Sequence, residues 1–406
     1  MLSYKYTARD PSTGEYVKAQ VQADSEQAAA RLVHKEGLVP IDIELDEKAA
    51  TGFRKRFNRV KAKDKVLFSR QLSTLINAGL PLVQSLRNVN QQTENKAFRV
   101  INSQVIADVE AGSALSAAMA KHPEAFNSVY INLIAAGEAS GTLDKALERL
   151  AIQQEKDAEL TSKIRGAMIY PVVVLFVMVA VVGFMIVKVL PQVKTLYDGL
   201  PGATLPLLTR IMLAIAEFII HQWWIVVIVL VFLVFITTRW VTTLGGKRTI
   251  DRLKMKIWPI GPLFMKMYMA RFSRTSMTLV ASGVPLIQVL DITGKAVNNV
   301  HIEESIKRAA DKVKGGKALS DALQHDPNFL DLVPNMIRIG EQSGSLEQML
   351  DKAASYYEQE VDDEVKSIST IIEPVLMVIL GIVAFIIVAA VLLPIYGLAG
   401  SSFAGN

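Results

Sequence analysis

The chain has 406 residues and a formal net charge of +5, and 51% of its residues are apolar while 20% are charged. It contains no cysteine, which excludes disulfides, thiolate metal sites and cysteine nucleophiles. Charged stretches alternate with long stretches almost free of charge, a pattern typical of a membrane protein with soluble parts. No aromatic-plus-basic motif or zinc-finger spacing indicates a nucleic-acid domain.

The first 50 residues are predicted to form a small α+β unit. Residues 4–9 and 16–23 alternate like strands around a D-P-S-T-G turn, a helix is predicted up to Glu36, and residues 39–44 alternate again. The predicted order over residues 1–50 is therefore ββαβ. Because the start of the chain has no apolar h-region, we expect internal spans to direct membrane insertion.

Residues 51–66 form a basic stretch that has two interpretations. Three apolar residues would share one face of a helix here, and cations fill the remaining positions. An interfacial helix on anionic lipid shows this pattern, and so does a solvated linker. The candidate lipid-binding residues are Arg54, Lys55, Arg56 and Arg59.

Three stretches are apolar and long enough to cross about 30 Å of hydrocarbon, which requires about 20 helical residues. They are predicted at 169–190, 218–239 and 370–393. Lys188 lies near the end of the first span, and Glu373 lies at the membrane boundary of the third. The other predicted segments are an outer loop at 191–217, a cytoplasmic connector at 240–270 and an outer tail at 394–406.

The distribution of Lys and Arg predicts the orientation of these spans. Nearly all of the basic residues precede Tyr170 or lie between Arg239 and Thr370, and none follows Pro394. Positive charge is enriched on the cytoplasmic side of membrane proteins. We therefore expect a cytoplasmic N-terminus, a cytoplasmic region between the second and third spans, and a C-terminus outside.

An internal repeat organises the chain. The segment FSRQLSTLINAGLPLVQSL, which begins at Phe68, matches FSRTSMTLVASGVPLIQVL, which begins at Phe272. Helical periodicity with recurring glycine breaks predicts two cytoplasmic helical bundles, at 67–168 and 271–369, each followed by a span. The predicted fold class is mainly α: a polytopic membrane protein with two repeated cytoplasmic helical bundles, three transmembrane helices and a small N-terminal α+β unit.

The most distinctive candidate site is a G-E-x-S-G motif that occurs once in each repeat. One interpretation is a helix–loop–helix junction with the glutamate at a helix terminus. The others are a charged patch for a partner, or a buried carboxylate paired with Arg70 or Arg274. The candidate residues are Gly137, Glu138 and Gly141 in the first repeat and Gly340, Glu341 and Gly344 in the second.

No catalytic motif is present in the sequence. The stretch Gly245–Thr249 (GGKRT) lacks the first glycine and the final Ser or Thr of a phosphate loop, and we predict that it is a loop after the second span. The histidines are scattered and show no H-E-x-x-H spacing. The sequence therefore predicts neither an enzyme nor a metal or cofactor site.

The duplicated F-S-R…G-x-P-L, the G-E-x-S-G-x-L junctions and the span that begins at Tyr170-Pro171 resemble type II secretion F and type IV pilus PilC proteins. The resemblance covers about residues 3–396, although Val193 stands where an aromatic residue is usual. It implies an inner-membrane platform that couples a cytoplasmic hexameric assembly or retraction ATPase to insertion or removal of pilin or pseudopilin subunits. It also implies contacts with inner-membrane alignment proteins and a homodimer or homotrimer, without a cofactor.

A transporter or channel and a membrane receptor or sensor are the two alternative classes. A transporter or channel needs polar residues along a path, and Lys188 is the one charged residue within the apolar runs Pro171–Leu190 and Pro374–Leu393. A receptor needs a larger outer domain than residues 191–217. For a platform that hydrolyses no nucleotide itself, we expect force to enter through loops of the bundles, near which Lys314 and Lys317 lie.

Overall fold

The computed structural model describes residues 2–9, 11, 16–23, 26–35, 37–45, 60–192, 195, 207–257 and 260–403. The candidate lipid-binding residues Arg54, Lys55, Arg56 and Arg59 lie outside these ranges, as does the middle of the predicted outer loop. The chain divides into two compact units, residues 1–68 with 81–112 and residues 69–80 with 113–406.

The first unit opens with an antiparallel sheet of the predicted ββαβ order. Its elements are β1 Leu2–Arg9, β2 Tyr16–Ala23, α1 Glu26–Lys35 and β3 Val39–Leu45. β1 lies in the middle of the sheet and pairs with both other strands. The buried residues Tyr6, Ala8 and Val33 join the sheet to α1, because alternate strand residues point to the helix-covered face.

Six helices follow along the described part of the first repeat. They are α2 Ala62–Asn77, α3 Leu82–Gln92, α4 Lys96–Glu110, α5 Leu115–Ala120, α6 Ser128–Ser140 and α7 Leu143–Ala167. α2 begins at Ala62, so the last residues of the predicted basic stretch, 51–66, are already helical. In the first unit, α3 and α4 are linked by a hydrogen bond between Arg87 Nε and Glu110 at 2.8 Å.

The part of the chain between the two repeats is more helical than the sequence suggested. Its elements are α8 Ile169–Phe184, a π-helical turn Met185–Val189, α9 Leu207–His221, α10 Trp223–Val241 and α11 Leu244–Lys256. The predicted span 218–239 is therefore split, because Gln222 leaves the helical conformation and separates α9 from α10. Likewise, Gly245–Thr249 lies in the first turns of α11 and not in a loop, because the Thr243 hydroxyl caps that helix at Gly246 N (3.1 Å).

The second repeat has the same order of six helices. They are α12 Ile260–Ala281, α13 Leu286–Val297, α14 Val300–Lys314, α15 Leu319–Leu323, α16 Leu332–Ser343 and α17 Leu346–Phe403. α12 begins before the predicted start of the bundle at residue 271. α17 is a single helix of 58 residues that includes the end of the bundle, the predicted span 370–393 and most of the predicted tail 394–406.

α17 passes through Pro394, where the sequence predicted the start of the outer tail. Proline has no N–H, so the carbonyl of Ala390, four residues earlier, lacks its helical donor. The hydroxyl of Thr209 in α9 donates to that carbonyl at 3.0 Å, and Thr209 is fully buried. The hydrogen bond that the proline removes is thus replaced from a neighbouring helix, which allows α17 to continue.

Among the described residues, three helices are long and apolar enough to cross a membrane. The first, Leu143–Gln192, comprises α7, α8 and the π-helical turn, and the other two are Trp224–Val241 and Leu346–Leu393. The apolar part of each leaves most side chains exposed, as expected for surfaces that face lipid tails. The predicted fold class, mainly α with three spans, two repeats and a small N-terminal α+β unit, is confirmed.

Candidate functional site

The glutamate of the first G-E-x-S-G motif binds the first turn of a neighbouring short helix, α5. Glu138 Oε1 accepts a hydrogen bond from the Leu115 N–H at 2.5 Å. Its Oε2 accepts two more from Ser116, from the N–H at 3.1 Å and from the hydroxyl at 2.5 Å. The first N–H groups of a helix have no intrahelical partner and form its positive end, so a carboxylate stabilises them.

The second motif repeats this arrangement at α15. Glu341 accepts from the Leu319 N–H at 2.6 Å, and from the N–H and hydroxyl of Ser320 at 3.2 and 2.6 Å. The residues at the N-cap positions of α5 and α15 are Ala114 and Ala318, which have no side-chain acceptor. The glutamate therefore supplies from another helix the cap that the local sequence lacks.

The two glycines of each motif serve the same junction in different ways. A Cβ on Gly340 would lie 2.8 Å from Leu346 Cα, and one on Gly137 would lie 2.5 Å from Ala146 Cβ. The first glycine thus allows two consecutive helices to approach closely. Gly141 and Gly344 both have φ of 70°, a left-handed conformation that ends the first of these helices.

These contacts give the motif a structural role: it positions three helices around one junction. The proposed pairing of its glutamates with Arg70 or Arg274 is wrong. Arg70 instead pairs with Glu155, and Arg274 pairs with Glu358. In both cases the shape of the junction turns the motif glutamate towards a helix N-terminus, and a carboxylate on the last helix of the repeat meets the arginine.

The arginine of each F-S-R segment is the centre of a duplicated ion pair that sequence reasoning missed. Arg274 Nε and Nη2 donate to the two carboxylate oxygens of Glu358 at 2.8 and 2.9 Å, and Nη1 donates to Asp351 at 2.5 Å. Arg70 donates to both carboxylate oxygens of Glu155 in the same way. The sequence contains one indication of this duplication: Glu155 and Glu358 are separated by the same number of residues as the two motif glutamates, Glu138 and Glu341.

This pairing sets the protonation of the carboxylate. The hydrogen bond from Arg70 holds the pKa of Glu155 below its ordinary value, with a smaller contribution from the charge of the arginine. Arg274 is more deeply buried than Arg70, with 10% of its side chain exposed against 41%. Removing the carboxylate partners of Arg274 should therefore lower the stability of the fold more than removing Glu155, because a buried charge would remain unpaired.

The two repeats meet in the second unit through polar contacts between α7, α12 and α17. The buried Gln153 donates to Thr275 at 3.1 Å and accepts from Thr278 at 3.2 Å. Lys163 Nζ lies 2.6 Å from Asp362 Oδ2 on α17. Buried polar groups that are fully paired fix one relative arrangement of the helices, so these contacts hold α7 in register with the second repeat.

The two lysines proposed for partner binding lie at the α14–α15 turn. Lys314 is exposed and pairs with Asp311 at 3.2 Å, a surface ion pair of the kind that contributes little to stability. Lys317 is also exposed. Both side chains can therefore reach a partner without disturbing the core.

The membrane-boundary residues occupy different surroundings. Lys188 lies in the π-helical turn near the end of the first apolar helix. Glu373 lines an open cleft of about 330 Å³ together with Tyr170, Pro171 and Gly166. The cleft joins the starts of the first and third apolar stretches, although the structure gives Glu373 no partner among its described neighbours. No group of three or more potential metal ligands occurs among the described residues.

The chain is similar to one protein family over most of its length. The family described as "Type II secretion system (T2SS), protein F" matches residues 68–191 and again 272–394, and "Type II secretion system protein F, N-terminal domain" matches residues 1–44. The double match coincides with the two repeats.

Similar individual proteins come from both pilus and secretion systems. "Type IV pilus assembly protein PilC" of Thermus thermophilus is 40% identical over 99% of both chains. The protein of the same name from Pseudomonas aeruginosa is 34% identical over 90% of this chain and 97% of its own. "Type II secretion system protein F" of Pseudomonas aeruginosa is 32% identical over 98% of this chain and 99% of its own.

Proposed function

The chain belongs to the type II secretion system protein F family, and on this basis we propose that it is the inner-membrane platform of a type IV pilus machine. Identities of 40% and 34% to proteins named for pilus assembly, against 32% to a secretion protein, favour a pilus over a type II secretion system. Pilin or pseudopilin subunits would be its partners in the membrane, and inner-membrane alignment proteins its neighbours.

The observation that carries this proposal is the continuity between bundle and span. α17 has 58 residues, which corresponds to about 87 Å at about 1.5 Å per residue. Its first part belongs to the helical core of the second repeat, with Leu350, Tyr357 and Val361 buried, and its later part is an exposed apolar stretch. A displacement of the bundle would therefore move the span with it.

Two further features suit a transmitter of force. Arg274 ties α12 to α17 through two carboxylates, and Arg70 ties α2 to α7 through one. The polar layer at Gln153 joins the two repeats. Each last helix is thus bound to its own repeat by a buried or half-buried arginine, so that force on a bundle would reach the membrane through α7 and α17.

In this proposal the bundles are cytoplasmic and the C-terminus is outside, as the Lys and Arg bias indicates. A cytoplasmic hexameric ATPase would act on the bundles, and the spans would contact the apolar helix of a pilin subunit. The chain would hydrolyse no nucleotide itself, because that reaction needs a phosphate cradle, a lysine and a held metal ion, and the sequence has no motif that supplies them.

The proposal is tested by measuring ATP hydrolysis with the purified full-length chain in lipid nanodiscs, alone and with its cognate assembly ATPase. We expect no hydrolysis by the chain alone and direct binding to, or stimulation of, the ATPase. The double variant Lys314→Glu with Lys317→Glu should weaken the coupling. The matched control Lys352→Glu with Lys366→Glu changes the charge equally at exposed positions on α17 and should retain it.

Two results would count against the proposal. Hydrolysis by the pure chain that a point substitution within it abolishes would show that it is an enzyme. Equal loss of coupling in the lysine variant and its control would show that general charge, rather than the α14–α15 turn, governs the contact with the ATPase.

A further inference from the structure

A pocket of about 430 Å³ lies between α7, α11 and α12, beside the point where the first apolar stretch begins. The lining of this boundary pocket includes three cations, Arg165, Lys254 and Arg271. It also includes apolar side chains, among them Ile164 and Phe264. Its volume falls in the range of about 300–1,000 Å³ that is usual for small-molecule sites.

The three cations differ in how far they are already neutralised. Arg271 is held in place, since its Nε donates to Asp157 at 3.0 Å and its Nη2 lies 3.3 Å from the Thr161 hydroxyl. Lys254 lies 3.4 Å from Asp251, a distance that makes only a weak contact. Arg165 has no hydrogen bond or ion pair with another residue in the described part of the chain. The pocket thus keeps positive charge that its own carboxylates do not fully balance.

The carboxylates near the pocket are committed to other contacts. Asp251 is buried and also accepts a hydrogen bond from the Val300 N–H at 3.2 Å, at the start of α14. Asp157 accepts from Arg271. Neither carboxylate is therefore available to neutralise Arg165, and an anion from outside the chain would complete the site.

The position of the pocket indicates the source of that anion. Arg165 lies one helical turn before the apolar stretch that begins at Ile169. The side chain of Ile169 is 60% exposed. Met168, a further apolar pocket residue, is also exposed and directly precedes this stretch. A ligand with its phosphate on the cations would therefore have its apolar part in the region occupied by lipid tails.

The helix that supplies Lys254 has the composition of a membrane-surface element. α11 follows the apolar helix α10 after a single turn, and its sequence LGGKRTIDRLKMK contains five basic residues and one acidic residue. Leu253 and Ile257, near its end, are 53% and 44% exposed. Basic residues combined with exposed apolar residues are typical of helices that lie on anionic lipid.

We propose that the boundary pocket binds the phosphate headgroup of an anionic phospholipid, with Arg165 and Lys254 as the main anionic contacts and Arg271 as a fixed third donor. Basic pockets between membrane helices bind anionic headgroups in this manner. The bound lipid would fasten α11 to α7 and α12, and so fix the connection between the second span and the second repeat. This inference does not depend on the pilus machine.

The test uses the full-length purified chain and native mass spectrometry, which counts lipids retained by each molecule. Phosphatidylglycerol and phosphatidylcholine are titrated separately, and glycerol 3-phosphate serves as the soluble phosphate probe. Each basic residue near a membrane surface contributes a factor of about five in affinity. The variant Arg165→Gln with Lys254→Gln should therefore bind phosphatidylglycerol about 25-fold more weakly than the unmodified chain.

Two further variants separate the pocket from its alternatives. Arg252→Gln with Lys256→Gln removes the same charge from exposed positions of α11 outside the pocket, and should leave retention of a single tightly held lipid nearly unchanged. Arg165→Lys with Lys254→Arg keeps the charge and should restore most of the affinity. Gel filtration of each variant shows whether it is folded.

Three outcomes would overturn the proposal. The pocket variant could keep the full preference for phosphatidylglycerol, or the α11 control could lose it equally, in which case general surface charge is responsible. Glycerol 3-phosphate could displace the lipid at equal concentration, in which case the site takes a soluble phosphate. None of these three outcomes changes the result of the ATPase-coupling assay, so that failure of the boundary-pocket proposal is distinguishable from failure of the platform proposal.

Discussion

Replacing glycine by alanine should change the stability of the protein in opposite directions at two buried helical positions, Gly340 and Gly294, because only Gly340 lies close to the backbone of another helix. In Gly340→Ala the new methyl group would lie 2.8 Å from Leu346 Cα, which is backbone and cannot rotate away. Gly294, in α13 of the same repeat, is the matched control. A Cβ there would meet Ile306 Cγ2 at 3.6 Å and Glu303 Cγ at 3.7 Å, which are ordinary contact distances.

The expected magnitudes follow from two opposing terms. Replacing glycine by alanine within a helix stabilises it by about 0.5–1 kcal/mol, because the unfolded chain loses conformational freedom. Overpacking a close contact costs about 1–3 kcal/mol. Gly294→Ala should therefore stabilise the protein by about 0.5–1 kcal/mol, and Gly340→Ala should destabilise it by about 0.5–2 kcal/mol.

The assay is thermal unfolding of the full-length chain in detergent, followed by intrinsic fluorescence under one heating rate. Gly294→Ala should raise the apparent Tm and Gly340→Ala should lower it. Gly137→Ala is an independent repeat of the experiment, because its Cβ would lie 2.5 Å from Ala146 Cβ. If both motif substitutions raised the Tm as much as Gly294→Ala does, the argument from helix proximity would be refuted.

Three further predictions concern capping, pH and topology. Glu341→Gln leaves one acceptor oxygen for three donors, so it should lower stability by about 1.5–3 kcal/mol in the same thermal assay. Arg70 lowers the pKa of Glu155 in the folded protein, so this pair stabilises the fold at pH values above the ordinary glutamate pKa. The stabilisation is lost as the pH falls through the lower pKa of the folded state. The difference in stability between Glu155→Gln and the unmodified chain should therefore shrink on acidification. Reporter fusions at Asn298 and Asn406 should report opposite sides of the membrane, and reports from the same side would contradict the three-span topology.

Sequence periodicity predicted the elements more reliably than their ends. The G-E-x-S-G motif marked both junctions, and its glycines lie where the helices end or approach each other. The helix in the predicted middle span, 218–239, begins only at Trp223, and the predicted bound differs because a hydropathy pattern does not register the single non-helical residue Gln222. The sequence predicts the start of the outer tail at Pro394, but α17 continues through this residue because Thr209 donates to the freed carbonyl of Ala390, a contact that the sequence cannot show.

The sequence by itself determined the mainly α class, the duplication, the number of apolar helices and the positions of the glycine breaks, because each of these follows from local composition or from a repeat in the chain. Only the tertiary structure decided which carboxylate meets which arginine. Glu138 and Glu155 are both plausible partners for Arg70 by charge, and the distances between helices remote in sequence give the pair to Glu155. The same packing placed Glu138 on the uncapped start of α5, where alanine at the N-cap leaves the backbone N–H groups in need of an acceptor.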